Sequence, residues 1–137
     1  MGWHDQGDGK WFLGLPIENG RVKDDGAVRL KSALREIFMR FRPGGRLTAH
    51  QNILFTDLEP RLRPELDTTL DQFGVPTAEG ISNVRRLSFA CPALPTCGLA
   101  ITESERVLPA LVSELEGELR RLELGHERFT VRMTGCP

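Results

Sequence analysis

Residues 91–98 read Cys91-Pro92-Ala93-Leu94-Pro95-Thr96-Cys97-Gly98, and no other stretch of the chain restricts the backbone as tightly. Each proline fixes φ and removes an N–H, so neither a regular helix nor an interior strand can run through the segment. It must be a loop, and a loop stiffened by two prolines loses less entropy when its ends are pinned. Two thiols are thereby held at a set separation. The third cysteine, Cys136, follows Gly135, whose missing side chain permits close backbone approach.

The rest of the chain arranges itself around this loop as two lobes. In the first, Trp11 to Ile17 and Val22 flank Asn19-Gly20, a pair that favours the positive φ values of a hairpin turn. Asp24 or Asp25 can cap the next segment. There Val28, Leu30, Ala33, Leu34, Ile37, Phe38 and Phe41 recur at helical spacing until Pro43-Gly44-Gly45. Arg46 to Phe55 reads as one strand, and Leu62, Leu66, Leu70 and Phe73 mark a second helix ending at Gly74. Hairpin, helix, strand and helix in that order predict an α+β fold, a small antiparallel sheet with helices on one face. The turn-forming residues Pro76 to Gly80 place a boundary between lobes at 1–76 and 77–137.

In the second lobe, Val84 to Phe89 is expected to be extended. Thr102 and Glu105 have capping-box spacing, and Pro109 is expected to separate a short helix from one running through Leu122. Phe129 to Met133 reads as a strand that delivers Cys136.

With 137 residues, 39% hydrophobic and 27% charged, the chain has the composition of a globular protein. A net charge of −1 gives no electrostatic reason to expect DNA, RNA or an anionic membrane as partner. No apolar run is long enough to cross a bilayer and no secretory signal opens the sequence, so the expected compartment is the cytoplasm. In a reducing compartment thiols are kept more often for metal or redox chemistry than for disulfides. Spacing alone leaves open an iron–sulfur cluster, structural thiols, or a Cys91–Cys97 disulfide. Zinc is a weaker match, because its ligand pairs usually sit two to four residues apart and no histidine lies near a cysteine.

The wording of the sequence narrows this. Ala90 to Arg106 (ACPALPTCGLAITESER), followed by Val131 to Pro137 (VRMTGCP), closely resembles the cluster-binding signature of sulfite reductases of the siroheme and iron–sulfur type. In that family a C-x5-C pair is followed by a C-x3-C pair in a Thr-Gly-Cys-Pro-Asn-Gly-Cys run. Upstream, Trp11 to Val22 and Arg46 to Ile53 (RLTAHQNI) resemble the ferredoxin-like half-domain of sulfite and nitrite reductases. The Pro-Ala-Leu-Pro-Thr filling between the first two cysteines resembles sulfite reductases, with siroheme nitrite reductases as the alternative.

The resemblance implies a fragment of an assimilatory sulfite reductase: a ferredoxin-like half-domain over 1–76 and the start of the siroheme and cluster domain over 77–137. It implies Cys91, Cys97 and Cys136 as ligands of a four-iron four-sulfur cluster, with the fourth cysteine downstream of Pro137. Gln51 is expected close to siroheme, with Arg46 and Asn52 as further cofactor-binding candidates. The implied reaction is the six-electron reduction of sulfite to sulfide, with a ferredoxin or flavoprotein as electron donor. The 137 residues alone are expected to be inactive, and to self-associate through surface that a missing pseudo-symmetric lobe would cover. Outside the enzyme class, the competing reading is a small α+β interaction module with structural thiols. The plainer readings of other residues are packing for Trp3 and Trp11, core for Phe38 and Phe41, and solvated helix faces for Arg29 to Arg42 and Glu114 to Arg121.

Overall fold

The computed structural model describes residues 1–137, which divide into two compact units, Met1–Gly80 and Ile81–Pro137. In the first unit, β1 (Gly2–Asp5) and β2 (Trp11–Leu15) form an antiparallel hairpin. The turn between them is held by Asx bonds: Asp5 Oδ1 accepts the Gly7 N–H at 2.7 Å and Asp8 Oδ1 accepts the Lys10 N–H at 3.0 Å. This hairpin precedes the one expected from Asn19-Gly20. That pair instead closes a short 3-10 turn over Glu18–Gly20, and Asn19 (φ 52°) and Gly20 (φ 67°) adopt left-handed conformations. The chain then makes a tiny hairpin of β3 (Asp24–Asp25) and β4 (Val28–Arg29) and enters α1 (Leu30–Phe41).

Helix α1 turns Leu30, Ala33, Leu34 and Ile37 inward, the face its periodicity predicted. Asp24 does cap it from a distance: its carboxylate accepts the Ser32 N–H at 3.0 Å and the Ser32 hydroxyl at 2.8 Å. The Ser32 bonds hold the Asp24 carboxyl below its ordinary pKa. Phe38 is not a core residue but lies against the Phe55 ring edge-on at 5.4 Å, with 38% of its surface exposed.

Arg46 to Phe55 is not one strand. It forms two, β5 (Gly44–Leu47) and β6 (Ile53–Leu58), joined by a turn over 48–52 and paired antiparallel. The sheet order is β1-β2-β6-β5. A bulge at Asp57 (φ 64°) lets Phe55 and Leu58 both face the core although they are not two residues apart. Helix α2 (Arg63–Gln72) contributes Leu66 and Leu70, fully buried against Leu13, Leu15, Ile37 and Phe55. Trp3 packs against this core, with the Trp11 ring beside it at 6.4 Å between centroids. The Trp3 indole N–H donates to Asp67 at 2.8 Å, and the Arg63 guanidinium lies over both rings. An antiparallel sheet with helices is the α+β arrangement expected from the sequence.

The second unit is built from α3 (Asn83–Leu87), β7 (Phe89–Ala90), α4 (Leu108–Arg121) and β8 (Arg132–Met133). Residues 83–87 are helical and not extended, because Ser82 caps them by accepting the Arg85 N–H at 3.2 Å. No helix starts at Thr102. Val107 and Leu108 donate their N–H groups to the Ser104 carbonyl, and α4 begins at Leu108 with Pro109 in its first turn. Val84, Ala90, Leu108, Val112 and Leu119 form the core of this unit. The charged face of α4 is only partly solvated. Glu116, with its side chain 16% exposed, takes a two-point bond from Arg85 at 3.2 and 2.9 Å and also accepts the Ser82 hydroxyl.

Candidate functional site

The cofactor-facing candidates of the first unit lie on or beside the turn between β5 and β6. Gln51 N–H donates to the Thr48 carbonyl, and the Asn52 N–H donates to the Thr48 hydroxyl at 3.1 Å. Asn52 is buried, and its Oδ1 accepts the backbone N–H of Ile17 at 2.9 Å, 35 positions away in sequence. One amide therefore fastens the turn carrying Gln51 to the turn at residues 17–20. Gln51 sits at the top in a left-handed conformation (φ 62°), and a Cβ on Gly20 would come within 3.1 Å of its Cβ. The Asn-Gly pair thus matters here for close approach between two turns. Arg46 is exposed on the edge strand β5, opposite Leu54.

In the second unit the thiol-bearing segments are interlocked by backbone. Strands β7 and β8 pair in parallel, Phe89 with Arg132 and Ala90 with Met133. The Cys91 N–H continues that ladder to the Met133 carbonyl at 3.1 Å. The same carbonyl accepts the Ser104 hydroxyl at 2.7 Å, and Ser104 is fully buried. Two residues on, the Gly135 carbonyl accepts the Ile101 N–H at 2.7 Å and the Thr102 N–H at 3.1 Å. The Gly135 N–H points the other way and donates to Cys91 Sγ at 3.4 Å. A Cβ on Gly135 would sit 2.5 Å from the Ala93 Cβ and 2.6 Å from the Thr102 carbonyl oxygen, so only glycine fits. Within the loop, the Ala93 carbonyl accepts the N–H groups of Thr96 and Cys97 at 3.0 and 2.7 Å.

All three thiols are free; Cys91 and Cys97 are half-buried and Cys136 is exposed. No three His, Cys, Asp or Glu side chains are gathered as a single metal ion would need. An iron–sulfur cubane makes a different demand, since each thiolate takes a separate iron and the ligands ring a larger body. A set of three thiols, with an amide already directed at one sulfur, has donor chemistry that fits such a group. The sequence reading missed Ser104. Its only signal is a small hydroxyl set among the charged residues Glu103, Glu105 and Arg106.

Comparison with known proteins bears on both units. The nitrite/sulfite reductase ferredoxin-like half domain matches residues 4–73, more than half of the chain. The chain belongs to the nitrite/sulfite reductase family. Relatives of that family match it over its full length. A sulfite reductase [ferredoxin] from Synechococcus elongatus is 55% identical over 137 residues, all of this chain and 22% of that protein. A sulfite reductase [NADPH] hemoprotein beta-component from Staphylococcus haemolyticus is 42% identical over all of this chain and 24% of its own length. Among solved structures, the NirA protein of Mycobacterium tuberculosis superposes with a TM-score of 0.78 at 26% identity, covering 99% of this chain and 24% of that one. The chain therefore spans about a quarter of the length of these family members. No helix is long and apolar enough to cross a membrane.

Proposed function

We propose that this chain forms part of an assimilatory sulfite reductase, in which it supplies thiolate ligands for a four-iron four-sulfur cluster and one wall of a siroheme pocket. The carrying observation is the interlock of residues 133–135 with residues 91–102, which holds the Cys136 strand end beside Cys91 in a chain 55% identical throughout to a sulfite reductase. Cys91, Cys97 and Cys136 would hold the cluster together with a fourth cysteine from outside these residues. When bound, the coupled cluster and siroheme supply the electron transfer for reducing sulfite to sulfide by six electrons.

The chain's own residues bind and tune. The Gly135 N–H donates to Cys91 Sγ, and a hydrogen bond to a ligating sulfur stabilises the more reduced, more negative state of such a centre. In the first unit Gln51 would face siroheme from the 48–52 turn, Arg46 would offer a cation to its carboxylates, and Asn52 would hold the turn from behind through Ile17. Residues 1–76 and 77–137 would then be the half-domain and the beginning of the cluster domain. The higher identity to the ferredoxin-type relative supports ferredoxin over a flavoprotein as donor, in a cytoplasmic enzyme. The 137 residues alone would give no turnover, because the fourth thiolate and further substrate-binding cations would come from elsewhere.

Anaerobic reconstitution with iron and sulfide tests the reading. A longer protein carrying this chain and the next cysteine should turn brown, with the broad visible absorption of a thiolate-bound cluster. Replacing Cys91, Cys97 or Cys136 with serine should abolish the colour. A protein that stays colourless, with all its thiols still titratable, would instead be an interaction module with structural thiols.

A further inference from the structure

We propose that Ser104 is a positioning residue that sets the separation between Cys136 and Cys91. It deepens the cluster reading, on which its functional meaning rests, but its geometry stands without any bound group. Ser104 is fully buried, and a buried hydroxyl must spend its hydrogen bond somewhere. It donates to the Met133 carbonyl, 29 residues on and three before Cys136, at 2.7 Å. That carbonyl is the last ladder acceptor before the chain leaves β8, and it already receives the Cys91 N–H at 3.1 Å. Ser104 thus adds a side-chain tether at the point where the Cys136 segment meets the Cys91 segment. The other ties on residues 133–135 come from backbone amides, from the Cys91 sulfur itself, and from a long Thr102 hydroxyl contact at 3.5 Å.

The tether acts on one thiol pair and not on the other. Cys91 and Cys97 belong to one short loop closed by its own bonds, Thr96 and Cys97 to the Ala93 carbonyl. Met133 touches this pair only through the Cys91 N–H, at the start of the loop. Cys136 reaches Cys91 only through the strap formed by residues 133–135. Removing the hydroxyl leaves the Met133 carbonyl one donor short in a closed site, which loosens the strap while the 91–97 loop keeps its bonds.

The test uses the whole chain with two of its three thiols at a time, and the short bis-alkylating fluorophore dibromobimane, which fluoresces when it bridges two thiols. In a Cys97→Ser background the probe reports Cys91 with Cys136; in a Cys136→Ser background it reports Cys91 with Cys97. Adding Ser104→Ala should slow bridging of Cys91 with Cys136 about fivefold, the ratio expected for one lost hydrogen bond, and leave Cys91 with Cys97 within about twofold. Circular dichroism on each variant checks that helix content is unchanged. An unaltered Cys91–Cys136 rate overturns the proposal, as does an equal fall for both pairs or a parent pair that never bridges. If bridging behaves as expected while iron and sulfide give no cluster, the cofactor reading fails and the positioning role of Ser104 stands.

Discussion

Replacing Gly135 with alanine tests how tightly the Cys136 strap is seated. The added Cβ would lie 2.5 Å from the Ala93 Cβ, 2.6 Å from the Thr102 carbonyl oxygen and 3.2 Å from the Ala100 Cβ. Carbon atoms rest at about 3.5–4.0 Å, so the strap and the loop must part by roughly 1 Å. Neither neighbour can swing aside: Ala93 is fully buried with its Cβ fixed to the backbone, and the Thr102 oxygen is itself backbone. If the strap moves, it strains the bonds from Ile101 and Thr102 to the Gly135 carbonyl and from Gly135 to Cys91 Sγ. Overpacking at about 1–3 kcal/mol plus about 1 kcal/mol for a lost hydrogen bond gives roughly 2–4 kcal/mol.

The placement of natural probes makes the assay selective. Both tryptophans lie in the first unit and all three cysteines in the second. Urea unfolding followed by thiol labelling should therefore show the loss of about 2–4 kcal/mol, with a smaller change in the tryptophan-detected transition. A thiol-detected transition unchanged within about 0.5 kcal/mol would refute the close-packing argument, since that is the range of an inconsequential surface change.

Other substitutions probe the remaining contacts. Glu116→Gln should destabilise the second unit by about 1–2 kcal/mol near neutral pH, because a desolvated charge-assisted pair with Arg85 is lost. Arg85, first, and Ser82 hold the Glu116 carboxyl below its ordinary pKa of 4.5. A carboxylate with a lowered folded-state pKa stabilises the fold above the unfolded value, and that stabilisation is lost as pH falls through the lowered one. Urea titrations at a series of pH values should thus show parent and variant converging below pH 4.5; a gap that stays constant would exclude the pair as its cause. Asn52→Ala strips the buried Ile17 N–H of its acceptor, so thermal unfolding followed by tryptophan fluorescence should show a loss of about 1–3 kcal/mol. Amide exchange at Ile17 should rise with it, and an Ile17 amide that stays protected would mean another group holds that turn.

The sequence made some parts legible because their causes are local. Helices α1 and α2 follow from apolar residues at helical spacing stopped by Pro43-Gly44-Gly45 and by Gly74, and Asp24 is a cap by chemistry alone. The proline loop between Cys91 and Cys97 follows from two fixed φ angles. Misreadings arose where hydrogen bonds, some short-range and some remote, overrode the apolar pattern. Arg46 to Phe55 alternates well enough for one strand, yet the Thr48 carbonyl and hydroxyl fold it into a hairpin. Residues 83–87 carry no strong helical signal, but Ser82 caps them and Glu116 anchors both Ser82 and Arg85.

What the residues determined unaided is membership of the nitrite/sulfite reductase family and the presence of three free thiols, since motif wording and thiol chemistry are properties of the chain itself. What only the tertiary structure decided is how those thiols are held. Ser104 and Met133 are unremarkable in sequence and Gly135 signals only room for close approach; all three are engaged by hydrogen bonds and van der Waals contacts between segments about 30 or more residues apart. Such contacts leave no periodic trace along the chain, because their partners are chosen by the packed fold and not by neighbours in sequence.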